Sequence, residues 1–256
     1  MSLRIHQFPC LEDNYGFLVK EIASGKVACV DTPDSDQVLS ELNRLGWTLD
    51  LVFNTHWHPD HAGGNAVLKA ATGAAVVGPE EVHRIVAVDQ VVTGGDHVML
   101  GETRFEVLDV GGHTLGHIAF HSPADDIVFV GDALFPMGCG RMFEGTFEQM
   151  WASLCRLAAL PENTFVYSAH EYSQANARFA LTIDDSVNVQ RRAASIDGAR
   201  AKNQPTVPTT IRLERATNPF LRAPQLAMAR GAANAVEAFA MVRTAKDNFK
   251  EAVHVE

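Results

Sequence analysis

The segment richest in reactive side chains is the loop from Thr55 to His61, which reads THWHPDH. It supplies three imidazoles and a carboxylate from His56, His58, Asp60 and His61. In a locally extended backbone, side chains two residues apart point the same way, so His56 and His58 can bind one ion. Asp60 and His61 lie beyond that pair and can face a second point. The spacing therefore predicts two adjacent metal positions rather than a polar surface loop.

Three further candidate ligands lie at the ends of strands predicted later in the chain. They are His113, Asp132 and His170, each beside small residues that let a side chain reach a shared centre. A single histidine after a strand is usually a structural residue with hydrogen bonds. Together with the loop, these three residues indicate ligation. His117 follows a glycine and leads into a strand, which favours a structural or supporting role.

The number of candidate ligands predicts two ions. The residues of the first predicted site are His56, His58, His113 and Asp132. Those of the second are Asp60, His61, His170 and Asp132, so that Asp132 bridges the two ions through its two oxygens. Imidazole and carboxylate ligands without thiolate suit zinc first, and they also tolerate iron or manganese.

Two neighbouring divalent ions favour hydrolysis. Such ions lower the pKa of a water held between them to roughly 7, and a metal ion can also stabilise the oxyanion of a tetrahedral intermediate. The sequence offers no evident Ser-His-Asp arrangement, and no base for Cys139, so a metal-bridging hydroxide is the predicted nucleophile. Asp60 and Asp132 would hold the ions and orient that water. A thiol, with a pKa of about 8.5, leaves without strong acid assistance, which suits a thioester but leaves lactones and other esters open.

The elements that must position these residues form a strand-rich pattern with interspersed helices. A helix is predicted over Asp34–Leu45, ended by Gly46, and a buried strand over Leu49–Phe53 leads into the histidine loop. The further predicted strands include Ala74–Gly78, Phe105–Val110, Ile118–His121, Ile127–Gly131 and Thr164–Ser168. This pattern favours a layered α/β fold over a simple βαβ repeat.

The character of the sequence changes near residue 173. The segments Ala175–Ala180, Ser186–Ala201 and Ala223–Ala240 are rich in helix-forming residues, and Gln204–Thr210 is a Pro/Thr stretch expected to be extended. We therefore predict two domains, a metal-binding catalytic domain over residues 1–173 and a helical substrate-binding domain over residues 174–256.

Composition narrows the classes of function. The 256-residue chain has a net charge of −10, which argues against nucleic acid because phosphate binding needs a basic face. No apolar run is long enough to cross a bilayer, and the N-terminus has no secretory signal pattern, so a cytoplasmic protein without membrane partners is predicted. The C-terminal helices show no association stripe, which predicts a monomer.

These features together carry a resemblance. The histidine loop with His113, Asp132 and His170 resembles the metallo-β-lactamase superfamily, and within it the chain is most similar to glyoxalase II, the hydroxyacylglutathione hydrolase family. The C-terminal segments Thr217–Arg222 and Arg243–Phe249 narrow the resemblance to that family. It implies an αββα sandwich followed by a mostly helical domain.

The resemblance also implies a substrate. The family cleaves S-D-lactoylglutathione to glutathione and D-lactate, the second step of methylglyoxal detoxification. Its substrate-binding positions correspond here to Arg141, Phe143, Tyr172, Arg243 and Lys246, with the cations receiving the glycine carboxylate of glutathione. The family often has Lys at Arg141 and Tyr at Phe143, so affinity for the thiol portion is expected to differ. Without the resemblance, Arg243 and Lys246 would be interpreted as one solvated helix face.

Three other functions fit parts of the pattern. A persulfide dioxygenase of the same superfamily would use one iron at His56, His58 and His113, but the long segment after His170 counts against it by resemblance. A lactonase or β-lactamase-like hydrolase would share the metal site. A non-catalytic binding protein is disfavoured by the complete ligand set.

Overall fold

The structure is a computed structural model in which residues 2–228 and 231–249 are described. Strands β1 to β14 are, in order, Leu3–Cys10, Asn14–Glu21, Val27–Val30, Leu51–Phe53, Ala75–Gly78, Gln90–Val91, His97–Leu100, Thr103–Asp109, Ile118–Ser122, Ile127–Gly131, Leu134–Phe135, Gly138–Cys139, Phe165–Ser168 and Thr209–Thr210. Helices α1 to α9 are Ser35–Leu45, Pro59–Ala62, Asn65–Thr72, Phe147–Ala158, Ser173–Ile183, Val187–Arg200, Ile211–Thr217, Ala223–Ala227 and Ala235–Asp247. Short 3₁₀ helices lie at Glu80–Arg84 and Pro123–Asp125.

Two six-stranded sheets form the centre of the molecule. The first has the order β1-β2-β3-β4-β5-β6 and the second the order β14-β13-β10-β9-β8-β7, while β11 and β12 form a separate hairpin. The strands nearest the histidine loop, β3, β4 and β5, run parallel. Parallel strands present their carboxyl ends at one edge of the sheet, which is where the loop emerges from β4.

The apolar residues define the layers. One buried cluster joins the inner faces of the sheets, with aromatic side chains from both, including Phe17, Phe53, Phe120 and Phe129. A second packs α1 and α3 on the outer face of the first sheet. A third packs α4 and the C-terminal helices on the outer face of the second sheet. The predicted αββα sandwich with a mostly helical C-terminal region is confirmed.

Local signals account for the helix beside the histidine loop. Asp34 caps α1 by accepting hydrogen bonds from the backbone N–H groups of Asp36 and Gln37. Gly46 ends the helix in the left-handed conformation, with φ +64°. The boundaries of α1 agree with the helix predicted from the spacing of Val38, Leu42 and Leu45.

The C-terminal region joins the rest of the chain at two places. Thr209 of β14 pairs with Val166 of β13, so this region supplies the edge strand of the second sheet. Phe179, Phe220 and Phe239 pack in the same cluster as Val166. The buried core is continuous across residue 173. The division of the chain into two domains at that residue stays a prediction.

One predicted helix is wrong. The segment Ala223–Ala240 is interrupted, with α8 ending at Ala227 and α9 beginning at Ala235. Gly231 has φ +101°, which a continuous helix does not allow, and Asn234 caps α9 by accepting from the N–H of Glu237. Residues 229–230 of the predicted helix lie outside the described residues. Strand β14 is the end of the stretch Gln204–Thr210, which was expected to be extended, whereas helix α7, which follows it, was not predicted.

Helix α7 also holds the hairpin β11–β12. The Glu214 carboxylate is fully buried and accepts hydrogen bonds from the backbone N–H of Met137 at 2.7 Å and from Asn218 Nδ2 at 2.9 Å. Asn218 Nδ2 also donates to the carbonyl oxygens of Phe135 and Gly138, at 3.2 and 2.9 Å. Buried polar groups satisfied in this way fix the turn between the two short strands.

Within residues 2–228 and 231–249, no helix is both long enough and apolar enough to cross a membrane.

Candidate active site

Three imidazoles form the first half of the predicted centre. His56 Nε2 and His113 Nε2 each lie 3.0 Å from His58 Nδ1. Burial lowers the pKa of all three side chains, so they are neutral near pH 7. A neutral imidazole is the form that binds a metal ion. The structure therefore brings the first three predicted ligands to one point.

The second half is a mixed group. Asp60 Oδ2 lies 3.4 Å from His61 Nε2 and 3.3 Å from His170 Nε2, and the two imidazole nitrogens are 3.4 Å apart. Burial opposes the ionised form of Asp60, but hydrogen bonds from His170 and His61 outweigh it and lower the pKa of the carboxyl group. The side chain is thus an anion, as a ligand must be.

Asp132 lies between the two halves. Its Oδ2 is 3.3 Å from His113 Nε2, while its Oδ1 is 3.4 Å from His61 Nε2 and 3.3 Å from His170 Nε2. The residue is 7% exposed, and its Oδ1 has no hydrogen-bond partner among the described residues. A buried carboxylate oxygen that faces imidazole nitrogens without a hydrogen bond from either suits a cation placed among these groups. The donor set therefore fits divalent cations, as three overlapping groups of its side chains also indicate.

The backbone at Asp132 is set by close packing. Gly131 has φ +48°, and a Cβ there would lie 2.4 Å from Thr55 Oγ1 and 2.9 Å from His117 Cε1. Only glycine fits this approach. His117 Nε2 accepts a hydrogen bond from the backbone N–H of Asp132 at 3.1 Å. This contact agrees with the structural or supporting role predicted for His117.

The predicted ligands together form a cradle, made of His56, His58, Asp60, His61, His113, Asp132 and His170. Four of its imidazoles donate the Nδ1–H to an oxygen, which fixes each ring and leaves its Nε2 to face the centre. The partners are Thr55 Oγ1 at 3.1 Å for His56, Asp31 Oδ2 at 2.9 Å for His61, the carbonyl of Arg141 at 2.6 Å for His113, and Asp13 Oδ1 at 2.8 Å for His170. Sequence reasoning assigned no role to Asp13, Asp31 or Thr55. Asp31 could have been found, because it follows a buried strand as the predicted ligands do.

A cavity of about 350 Å³ adjoins the centre. Its lining includes His113 and Asp132 and all five predicted substrate-binding residues, namely Arg141, Phe143, Tyr172, Arg243 and Lys246. The structure thus brings the predicted substrate-binding side chains to one wall beside the predicted ligands. The buried thiol of Cys139 also lines this cavity, and burial raises its pKa to about 11, so it is no thiolate at neutral pH.

The cations of the cavity are held in different ways. Arg243 is 4% exposed, and its guanidinium donates to the carbonyl of Cys139 at 3.0 Å and to Asp247 Oδ1 at 2.8 Å. Its Nε has no hydrogen-bond partner among the described residues. Lys246 Nζ donates to the carbonyl of Ala175 at 2.9 Å. Arg141 has a side chain that is 62% exposed and lies 3.6 Å from Asp247.

Two aromatic residues complete the wall. Tyr172 stacks on the imidazole of His170, with ring centroids 4.7 Å apart and planes at 3°. Phe143 is 62% exposed and meets His58 and His113 edge to face, at centroid distances of 5.6 and 5.3 Å. Phe143 therefore covers the first half of the centre, and Tyr172 covers the second.

Comparison with known proteins agrees with this geometry. Residues 20–170 match the family model of the metallo-beta-lactamase superfamily, which is the class that the two sheets and the histidine–aspartate cradle define. Residues 171–249 match the model described as the hydroxyacylglutathione hydrolase C-terminus. A hydroxyacylglutathione hydrolase of Hyphomonas neptunium is 50% identical over 96% of this chain and 98% of its own. Another, of Maricaulis maris, is 51% identical over 97% and 99%. The chain belongs to the hydroxyacylglutathione hydrolase family.

Solved structures support the fold. The crystal structure of ETHE1 from Myxococcus xanthus has a TM-score of 0.70 and 28% identity, covering 97% of this chain and 92% of that one. The BLEG-1 B3 metallo-beta-lactamase has a TM-score of 0.65 at 19% identity, covering 85% and 99%. The second shows the shared fold alone. The predicted resemblance is confirmed, and the hydrolase relatives match this chain more closely in sequence than either structure does.

Proposed function

We propose that the protein hydrolyses the thioester of S-D-lactoylglutathione and related 2-hydroxyacylglutathiones to glutathione and D-lactate. The observation that carries the proposal is the position of the cation-lined cavity, whose wall includes Asp132 of the cradle. One substrate molecule can therefore place its thioester carbonyl at the cradle and its carboxylate at the cations. The names of the relatives support this choice of substrate.

The cradle is proposed to hold two divalent ions, zinc first and iron or manganese as alternatives. One ion would be held by His56, His58 and His113, and the other by Asp60, His61 and His170, with Asp132 shared. Such ions supply Lewis acidity and an acidified water to the site when bound. Asp132 and Asp60 are proposed to fix the orientation of that water through their ionised oxygens.

The protein's own side chains are proposed to choose the substrate. Arg243 lines the cavity beside the cradle, and a guanidinium there places positive charge where a substrate carboxylate would lie. Lys246 and Arg141 add charge to the same wall, which an anionic ligand needs in a protein of net charge −10. The Tyr172 hydroxyl is proposed to hydrogen-bond to the peptide portion of glutathione.

The leaving group of the proposed reaction does not require a general acid from the protein. A thiolate departs without strong acid assistance, since thiols have a pKa of about 8.5. A thiolate leaving group therefore suits this site, because its imidazoles are the proposed metal ligands and are not available as a general acid. We propose that the protein acts in the cytoplasm as a monomer in the second step of methylglyoxal detoxification.

The test combines a thiol-release assay on S-D-lactoylglutathione with metal analysis of the same sample. Thiol release that rises with metal content supports the proposal. Thiol release that is absent at every metal loading overturns it, and so does rapid oxygen uptake with glutathione persulfide. A lactone and a β-lactam serve as comparison substrates, and faster turnover of either would overturn the proposed thioester specificity.

A further inference from the structure

The β1–β2 turn, which comprises residues 11–13 with Asn14 at the start of β2, contacts the second half of the cradle. Asp13 Oδ1 accepts the Nδ1–H of His170 at 2.8 Å. Asn14 Nδ2 donates to Asp60 Oδ2 at 3.2 Å and lies 3.5 Å from His170 Nε2. Within residues 2–228 and 231–249, the side-chain hydrogen bonds of Asp13 and Asn14 go to Asp60 and His170. Two of the three ligands particular to the second half are therefore oriented by this one turn.

The turn is itself fixed against the strand end that carries His170. The N–H of Tyr15 donates to the carbonyl of Ala169 at 2.7 Å, and the N–H of Glu171 donates to the carbonyl of Asp13 at 2.9 Å. The Tyr15 hydroxyl donates to Glu171 Oε2 at 2.6 Å. Backbone hydrogen bonds on both sides of His170 fix the position of the turn. They therefore keep the Asp13 carboxylate beside His170 and the Asn14 amide beside Asp60.

The imidazoles of the first half of the cradle are oriented by residues outside the β1–β2 turn. His56 is oriented by Thr55, its neighbour in the chain, and His113 by the backbone carbonyl of Arg141. These contacts lie on other segments of the chain. A change in the β1–β2 turn therefore removes support from one half of the centre and leaves the supports of the other half in place.

We propose that Asp13 and Asn14 are positioning residues that set the metal affinity of the second half separately from the first. A carboxylate that accepts the Nδ1–H of a ligating imidazole fixes the ring and makes Nε2 a stronger ligand, and losing such a partner costs roughly 10- to 100-fold in metal affinity. Asn14 holds the Asp60 oxygen that faces His61 and His170. The inference rests on the proposed two-ion occupancy of the cradle.

The experiment measures both zinc dissociation constants by competition with a chromophoric chelator, and zinc content after dialysis against buffered free zinc. The variants are Asp13→Ala, Asp13→Asn and Asn14→Ala, and Glu12→Gln is the control, because it is an exposed neighbour with the same charge change as Asp13→Asn. We expect one of the two constants to rise about 10- to 100-fold, and the same one in Asp13→Ala and Asn14→Ala, while the other is unchanged. Asp13→Asn keeps an acceptor oxygen and should fall between wild type and Asp13→Ala.

Circular dichroism first establishes that each variant folds, and Asp13→Asn carries the test if Asp13→Ala does not. Equal changes in both constants, or no change in either, overturn the inference, as does a wild-type protein that binds only one ion at saturating zinc. A wild-type protein that binds two ions but releases no thiol overturns the proposed function alone, because the affinities are measured without substrate.

Discussion

The metal cradle and the cation-lined wall of the cavity are built in different ways. The cradle ligands come from loops at the ends of central strands, and four of the five imidazoles are oriented by a hydrogen bond from Nδ1. The cations of the wall come from the segment after β12 and from α9, and they range from the buried Arg243 to the exposed Arg141. Sheet ends thus set the geometry of the cradle, and later segments of the chain supply the cations of the cavity wall.

The largest effect is expected at Asp132, where the two halves of the cradle meet. Asp132→Asn removes the charge that faces both sets of imidazoles, so bound metal and kcat/KM should fall together, the latter by more than about 100-fold. Metal analysis and thiol release on one sample check this. Asp185→Asn makes the same charge change at an exposed position and should match wild type. Full activity in Asp132→Asn would show that the carboxylate is not shared between two ions.

A large effect on stability is expected at Glu214, which joins the C-terminal region to the hairpin leading to Arg141. Glu214→Ala leaves the N–H of Met137 and the hydroxyl of Thr209 without their buried acceptor, which should cost about 3 kcal/mol of unfolding free energy. Urea denaturation measures this, and Glu214→Gln should recover part of the loss because its carbonyl can still accept. An unchanged urea midpoint in Glu214→Ala would show that the contacts of Glu214 with the hairpin do not contribute to the stability of the protein.

A smaller effect is expected along the cation wall, and it should differ with burial. Arg243→Ala should raise KM roughly 10-fold and also lower stability, because its guanidinium has buried partners. Arg141→Ala should raise KM by about 3-fold with the melting temperature unchanged, since an exposed ion pair contributes little. Lys246→Ala should raise KM with kcat nearly constant.

Steady-state kinetics and thermal melts separate these cases. If KM is unchanged in all three variants, the wall does not receive the substrate carboxylate. If Arg141→Ala lowers stability as much as Arg243→Ala, the distinction between buried and exposed cations fails.

The smallest effect concerns His121, a buried imidazole of β9 outside the cradle. It is 5% exposed, neither ring nitrogen has a hydrogen-bond partner among the described residues, and the nearest carboxylate oxygen, of Glu106, is 3.8 Å away. Burial lowers the pKa of His121, and the charges of Glu106 and Asp126 oppose this only in part. The unfolded chain therefore binds more protons below pH about 6.5, so stability should fall as pH falls through that range.

The measurement compares His121→Gln with wild type, both free of metal, by urea denaturation between pH 7 and 5. The variant should lose less stability on acidification, by at most about 1.4 kcal/mol per pH unit, which is the slope for one proton. Equal slopes would show that His121 titrates normally in the folded protein. The cradle imidazoles contribute equally to both proteins under these conditions.

The cradle could be predicted from the sequence because its signals are local. The histidine loop lies within seven residues, and His113, Asp132 and His170 each follow an apolar strand. The interruption of the helix predicted over Ala223–Ala240 is harder to predict, because alanine favours helix on both sides of Gly231. The role of the β1–β2 turn could not be predicted, since Asp13 reaches His170 only through pairings across the sheets. The burial of Arg243 was likewise invisible, because it depends on Phe220, Cys139 and Asp247 meeting around one side chain.

Strand β14 matters for truncation of the chain and for exchange of its C-terminal region. It is two residues long and leads directly into α7, so it covers the edge of β13 and presents little edge of its own. Short edge strands discourage pairing between molecules. A chain cut after the last ligand would keep every cradle residue yet expose β13, the strand that delivers His170. An exchange of C-terminal regions between family members should therefore carry the edge strand together with Arg243 and Lys246, as one unit.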